Sequence, residues 1–85
     1  MNWQPFFKTL MDNGIQRVDL SFANGREEKV FLVAVTSQYL VGTVSVDTAQ
    51  VTVIPYDNIC AARPAAGIED REKLVHLVVR AGETE

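Results

Sequence analysis

The chain is poor in the residues that build reactive or metal-binding centres. It has one cysteine, Cys60, and one histidine, His76, in 85 residues. A single cysteine excludes a disulfide within the chain, and the pair supplies too few soft ligands for a tetrahedral metal set. Cys60 lies in the apolar run Ile59-Cys60-Ala61-Ala62, which predicts a small buried strand residue rather than a reactive thiol. No apolar run approaches the roughly 18 residues that span a bilayer. The N-terminus lacks a basic segment followed by an apolar core and a small-residue cleavage site, so a cytoplasmic location is expected. Basic charge is also scarce: the formal charge is -3 with a pI near 5.0, and neither half carries a cationic excess. Duplex DNA, gripped through its phosphates, is therefore not an expected partner, and neither is a membrane surface.

What the chain does have is 47% hydrophobic residues in a strongly patterned order. Its length suits one small domain, which buries only about 60% of its unfolded surface and gains from self-association. Trp3, Phe6, Phe7, Leu10 and Met11 recur at i, i+3, i+4, i+7 and i+8, the spacing of one helical stripe. Asn2 is placed to cap that helix, Pro5 falls in its first turn, and Asn13-Gly14 stops it. So short a helix is marginal alone, so its aromatic stripe is expected to pack on a sheet. Asn24-Gly25, between two alternating runs, predicts a two-residue type I′ hairpin.

Strands are expected at Gln16–Ala23, Glu28–Thr36, Tyr39–Val46, Gln50–Ile54 and Ile59–Arg63. The intervening turns fall at Ser37-Gln38, Asp47-Thr48-Ala49 and Pro55-Tyr56-Asp57-Asn58. Val30–Val35 reads as a strand buried on both faces or bent across a core. Five short strands at this spacing suit a strongly bent antiparallel barrel. Residues 1–64 form the barrel and its helix, and residues 65–85 form an extension. Ile68–Lys73 reads as a helical turn or loop, residues 74–80 as a sixth strand, and the last residues as a frayed tail. Pro55 cannot donate to a strand ladder and belongs at an edge or strand end. Open edges in so small a domain invite pairing, and a closed ring of copies satisfies every edge at once.

Gln4–Leu10, Val18–Gly25, Gln38–Val41, Ile54–Cys60 and Arg63-Pro64, taken in that order, resemble the Sm-like family and its bacterial Hfq branch. Gln4-Pro5-Phe6-Phe7-Lys8-Thr9-Leu10 resembles the Asp-Pro-Phe-Leu-x-x-Leu opening of the family helix. Val18 to Gly25 resembles the first strand with its Asn-Gly turn. Gln38-Tyr39-Leu40-Val41 is similar to the Gln-Phe-Val-Ile step of the third strand. Ile54 to Cys60 resembles Val-Tyr-Lys-His-Ala-Ile-Ser, and Arg63-Pro64 matches the Arg-Pro that follows. The resemblance spans about residues 3–64, with a few residues inserted around Val44–Gln50. Residues 68–85 have no counterpart in it.

The resemblance implies a cyclic homo-oligomer, joined through strand edges, that binds single-stranded RNA. In the pore it places Gln38 and Tyr39, an amide able to bond a base edge and an aromatic stacking surface. The family's Lys-His pair falls on Tyr56 and Asp57, which exchanges cationic donors for a phenol and a carboxylate. On the opposite face, the tyrosine that stacks A-rich RNA falls on Ser21, and the family's glycine is met by Gly25. The arginine rim falls on Met11-Asp12-Asn13, leaving Arg17 as the nearby cation.

Plainer readings stand beside each of these. Gln38-Tyr39 also suits a polar turn followed by a strand-start aromatic, and Asp57-Asn58 is ordinary turn chemistry. His76 in an apolar run and the charged stretch 69–73 read as a lone core or half-exposed histidine and a solvated face. No nucleophile with its base, phosphate loop or convincing carboxylate pair is present, so neither catalysis nor a cofactor is expected. Two functional readings follow: an RNA-binding ring with weakened RNA surfaces, or an oligomeric protein scaffold that binds no RNA. A third is an SH3-like barrel that forms no ring, since barrel folds host many functions.

Overall fold

A computed structural model describes residues 2–44 and 50–82. Helix α1 (Trp3–Asp12) begins where Asn2 accepts the Gln4 backbone N–H at 3.3 Å. It ends in a Schellman arrangement: the Ile15 N–H reaches the Leu10 carbonyl at 2.9 Å, and the Gly14 N–H reaches Met11 at 3.0 Å. Gly14 has φ +81°, the left-handed conformation this motif requires.

Five strands follow: β1 (Arg17–Phe22), β2 (Glu27–Val35), β3 (Tyr39–Thr43), β4 (Thr52–Pro55) and β5 (Ile59–Pro64). They form one antiparallel sheet in the order β4-β3-β2-β1-β5. β4 and β5 are its two outer strands, so the bent antiparallel sheet expected from the pattern is present but does not close on itself into a barrel. Pro55 ends β4, an edge position compatible with its missing N–H. The expected end of the third strand at Val46 and the turn at Asp47-Thr48-Ala49 lie outside the described residues.

The first hairpin departs from the expected type I′ turn. Gly25 alone takes a positive φ, +87°; Asn24 instead accepts the Arg26 N–H on its side chain at 3.0 Å. The Gly25 N–H bonds the Phe22 carbonyl at 3.0 Å, and the Phe22 N–H bonds Arg26 at 2.8 Å. This is a three-residue loop with the glycine in a left-handed bulge. The Asn side chain satisfies the turn locally, so its own backbone need not adopt the strained conformation.

Two register shifts bend the sheet. In β2 the shift lies between Leu32 and Ala34, which turns both Val33 and Ala34 to solvent. Between β1 and β5, Ser21 faces Ala61 and Phe22 faces Ile59, which leaves Cys60 without a partner in the register. That extra residue corrects the expectation for Cys60: it lies in a strand but is exposed.

The inner face of the sheet carries Val18, Leu20, Val30, Leu32, Leu40, Ile54 and Ile59. Phe6, Phe7 and Leu10 of α1 cover it, with Trp3 and Met11 partly buried beside them. Gly42 is buried opposite Leu32 in β3. A Cβ there would overlap Val30 Cγ1 and lie 3.0 Å from the Phe31 carbonyl oxygen.

The C-terminal segment corrects the second expectation. In place of a sixth strand, a short 3-10 turn (Ile68–Asp70) leads into helix α2 (Arg71–Gly82), which packs along α1. Leu74, Leu77 and Val78, at i, i+3 and i+4, turn toward the core, whereas Val75 and Val79 are exposed. A six-residue apolar run carries no periodicity of its own, and only the charged residues flanking it extend it to helical length. Glu72 in the first turn and Arg80 in the last both complement the helix dipole. His76 is exposed on this helix.

Denaturant unfolding of four variants checks this account. Gly42→Ala should cost about 1–3 kcal/mol in denaturant unfolding, because the added methyl has no space. Leu77→Ala should cost about 2–5 kcal/mol, the range for a truncated core leucine. Val75→Ala and Val79→Ala should each stay within about 0.5 kcal/mol. A strand would place residues 75, 77 and 79 on one face and give three similar losses.

Candidate nucleic-acid interface

The turn between β2 and β3 is organised by one threonine. The Thr36 hydroxyl oxygen accepts the N–H groups of Tyr39 at 3.0 Å and Gln38 at 3.3 Å. The Thr36 N–H donates to the Tyr39 carbonyl at 3.0 Å. The 3-10 turn Tyr56–Asn58, between β4 and β5, docks against this unit. Tyr56 donates its phenol to the Thr36 carbonyl at 2.6 Å, and its N–H approaches the Gln38 carbonyl at 3.5 Å. Tyr39 faces Pro55 across the β3–β4 ladder. Gln38, Tyr39, Tyr56 and Asp57, far apart in the sequence, therefore gather at one end of the sheet.

Their roles are unequal. Gln38 and Asp57 are exposed, and Tyr39 keeps 37% of its surface open to solvent. Tyr56 is half-buried, and its ring stacks on Phe7 with centroids 6.2 Å apart and planes at 20°. Burial pushes its phenol pKa upward. With one ring face against the helix and its hydroxyl engaged, Tyr56 acts as a strut. The surface left to a ligand is an amide, an aromatic ring and a carboxylate.

The remaining expected residues lie elsewhere. The tip of the first hairpin touches the 3-10 turn, since the Ala23 N–H bonds the Asn58 carbonyl at 3.0 Å. Gly25 belongs to that tip, beside a shallow hollow lined by Phe22, Ala23, Asn24 and Asn58. Ser21, on the outer face of β1, donates to Glu27 Oε1 at 2.9 Å and accepts from Arg63 Nη2 at 3.3 Å. Arg63 also pairs directly with Glu27. The hydrogen bonds from Arg63 and Ser21 hold the Glu27 carboxyl below its usual range. Ser21 is thus engaged in a three-residue polar network. Nothing local to Arg63 marks it for this network, because its partners are 36 and 42 residues away.

Arg17 is separate again. It opens β1 and lines a cleft of about 360 Å³ with Asp70 and Lys73 of the C-terminal segment. Nothing in the charged run 69–73 distinguished Lys73 as a cleft residue, since the cleft exists only once α2 folds back on α1. Among the described residues no group of three His, Cys, Asp or Glu side chains could hold a metal ion. No described helix is long and apolar enough to cross a membrane. The chain matches no protein-family model, no curated protein and no solved structure.

Tyr56→Phe tests the strut. It removes the bond to Thr36 and should lower stability by about 0.5–1.5 kcal/mol at neutral pH. A folded-state phenol pKa above the unfolded value contributes stability that is whole below pH about 10 and is lost as pH rises further. The variant should therefore show a flatter alkaline limb in thermal unfolding than the parent protein.

Proposed function

We propose that this chain is an Sm-like subunit that joins copies of itself head to tail in a ring and binds single-stranded RNA at Gln38 and Tyr39. The observation that carries the reading is the strand order. β4 and β5 are the outer strands of one antiparallel sheet, and among the described residues each has a backbone edge with no partner strand. β4 of one copy beside β5 of the next would continue the sheet, and a rotation that closes would satisfy every edge. The surface near β4 suits burial: Val51 and Val53 are 57% and 55% exposed, and Val41 faces Val53 on the same side.

RNA enters through chemistry at the end of the sheet. Base stacking on Tyr39 and base-edge bonding by Gln38 are independent of phosphate contacts. Asp57 beside them repels phosphate and can accept a base N–H instead. Binding in this reading is selective for bases and only weakly salt-dependent, because few cations take part. A second reading, a ring that serves as a protein scaffold, is favoured by the Glu27–Arg63 pair, which occupies the cation of β5.

Light scattering should give a mass that is a multiple of the 9.4 kDa subunit. Val53→Lys should dissociate the oligomer while leaving the subunit folded, since Val53 is already exposed in the subunit. Labelled U-rich and A-rich oligoribonucleotides titrated at low salt should bind the parent, and Tyr39→Ala should abolish that binding. An intact oligomer that binds neither oligomer at high protein concentration supports the scaffold. A monomeric parent removes both readings and leaves an open SH3-like domain.

A further inference from the structure

The cleft at Arg17 has a composition of its own. We infer that it is a binding site for a nucleoside monophosphate, with the phosphate held between Arg17 and Lys73 and the base against Phe31. The inference needs neither the ring nor RNA binding at Gln38 and Tyr39.

The argument starts from the two cations. Arg17 comes from the first residue of β1 and Lys73 from the first turn of α2, and both line the same cleft. Among the described residues, neither side chain makes a hydrogen bond or an ion pair. Among the described residues nothing consumes their positive charge, unlike that of Arg63 or Arg26, which pair with Glu27 and Glu28. A guanidinium and an ammonium approaching from different elements suit a phosphate, which the first can bind bidentately and the second as a point charge.

The rest of the lining suits a nucleoside rather than inorganic phosphate. Phe31 is the cross-strand partner of Arg17, so a half-buried aromatic ring lies beside the cation on the same face. Asn13 and Gln16 bring side-chain amides, which can pair with a base edge; Asn13 still has its amide oxygen free while its nitrogen bonds Thr9. Asp70 limits the ligand: its carboxylate repels a polyphosphate chain but accepts hydrogen bonds from the hydroxyls of a ribose. The volume of about 360 Å³ falls at the small end of the roughly 300–1,000 Å³ of ligand clefts, which suits one nucleotide.

The same chemistry is available from a free mononucleotide or from the phosphorylated end of an RNA, and the experiment separates them. Adenosine 5′-monophosphate, adenosine and inorganic phosphate are titrated calorimetrically against the full chain. The monophosphate should bind most tightly. Arg17→Gln and Lys73→Gln should each weaken it by about tenfold or more, the loss of one charge-assisted hydrogen bond. Arg80→Gln, which removes equal charge outside the cleft, should leave binding unchanged. Asp70→Asn should weaken the ribonucleotide more than its 2′-deoxy counterpart. A 5′-phosphorylated oligoribonucleotide that displaces the monophosphate, where its 5′-hydroxyl form does not, assigns the site to RNA ends. Failure of both to displace it assigns the site to the free nucleotide. No binding of monophosphate at millimolar concentration by natively folded protein overturns the inference. Equal binding by Arg17→Gln, Lys73→Gln and parent also overturns it.

Discussion

One face of a short helix covers the inner side of the sheet, and Phe7 occupies the point where the pieces meet. It is fully buried, stacks with Trp3 at 5.5 Å and meets Phe6 edge-on at 5.4 Å. On its far side it supports the Tyr56 ring, and Tyr56 reaches Thr36 through its phenol. A chain of contacts therefore runs from the core of α1 to the turn that displays Gln38 and Tyr39. In a domain this small, apolar burial at one helix face also determines where polar side chains near the sheet end can stand. The position of the proposed RNA surface is thus a consequence of core packing rather than of local loop preference.

Curvature is the second constraint. A register shift within β2 and the close approach of Gly42 in β3 let the nine residues of β2 bend over the core, and a second shift bends β1 against β5. The same bends explain the exposed positions. Val33 and Ala34 turn outward at one shift and Cys60 at the other, so residues that look buried by composition face solvent. The open order β4-β3-β2-β1-β5 leaves the protein with two backbone edges and exposed valines near one of them. Exposed edges of this kind are stable only when blocked or paired, which is the physical reason for proposing assembly.

Helix α2 changes the character of the opposite side. By packing on α1 it adds Leu77 to the core and brings Lys73 and Asp70 to the start of β1. The segment without a counterpart in the Sm-like resemblance is therefore the one that creates the cleft. Arg17 acquires surroundings quite different from those of a rim arginine on an uncovered helix. The two proposed ligand surfaces then belong to different parts of the fold, one resting on Gln38 and Tyr39 and the other on Arg17 and Lys73.

Much of this arrangement was legible in the order of residues. The stripe from Trp3 to Met11, its Asn2 cap and its Gly14 stop specify α1, because helix periodicity and terminal hydrogen bonds are local. The five strands and their approximate limits follow from alternation and turn residues for the same reason. Local information failed where a distant contact decided the outcome. Leu74–Val79 reads as a strand until α1 offers it an apolar groove. Cys60 reads as buried until a register shift with β1 turns it out. Tyr56 reads as a pore-facing phenol until Phe7 and Thr36 engage it. Backbone preference and capping act within a few residues, so the chain alone dictated its elements. Register, sheet closure and the grouping of Arg17 with Lys73 depend on surfaces meeting across the fold, and only packing in three dimensions could choose among them.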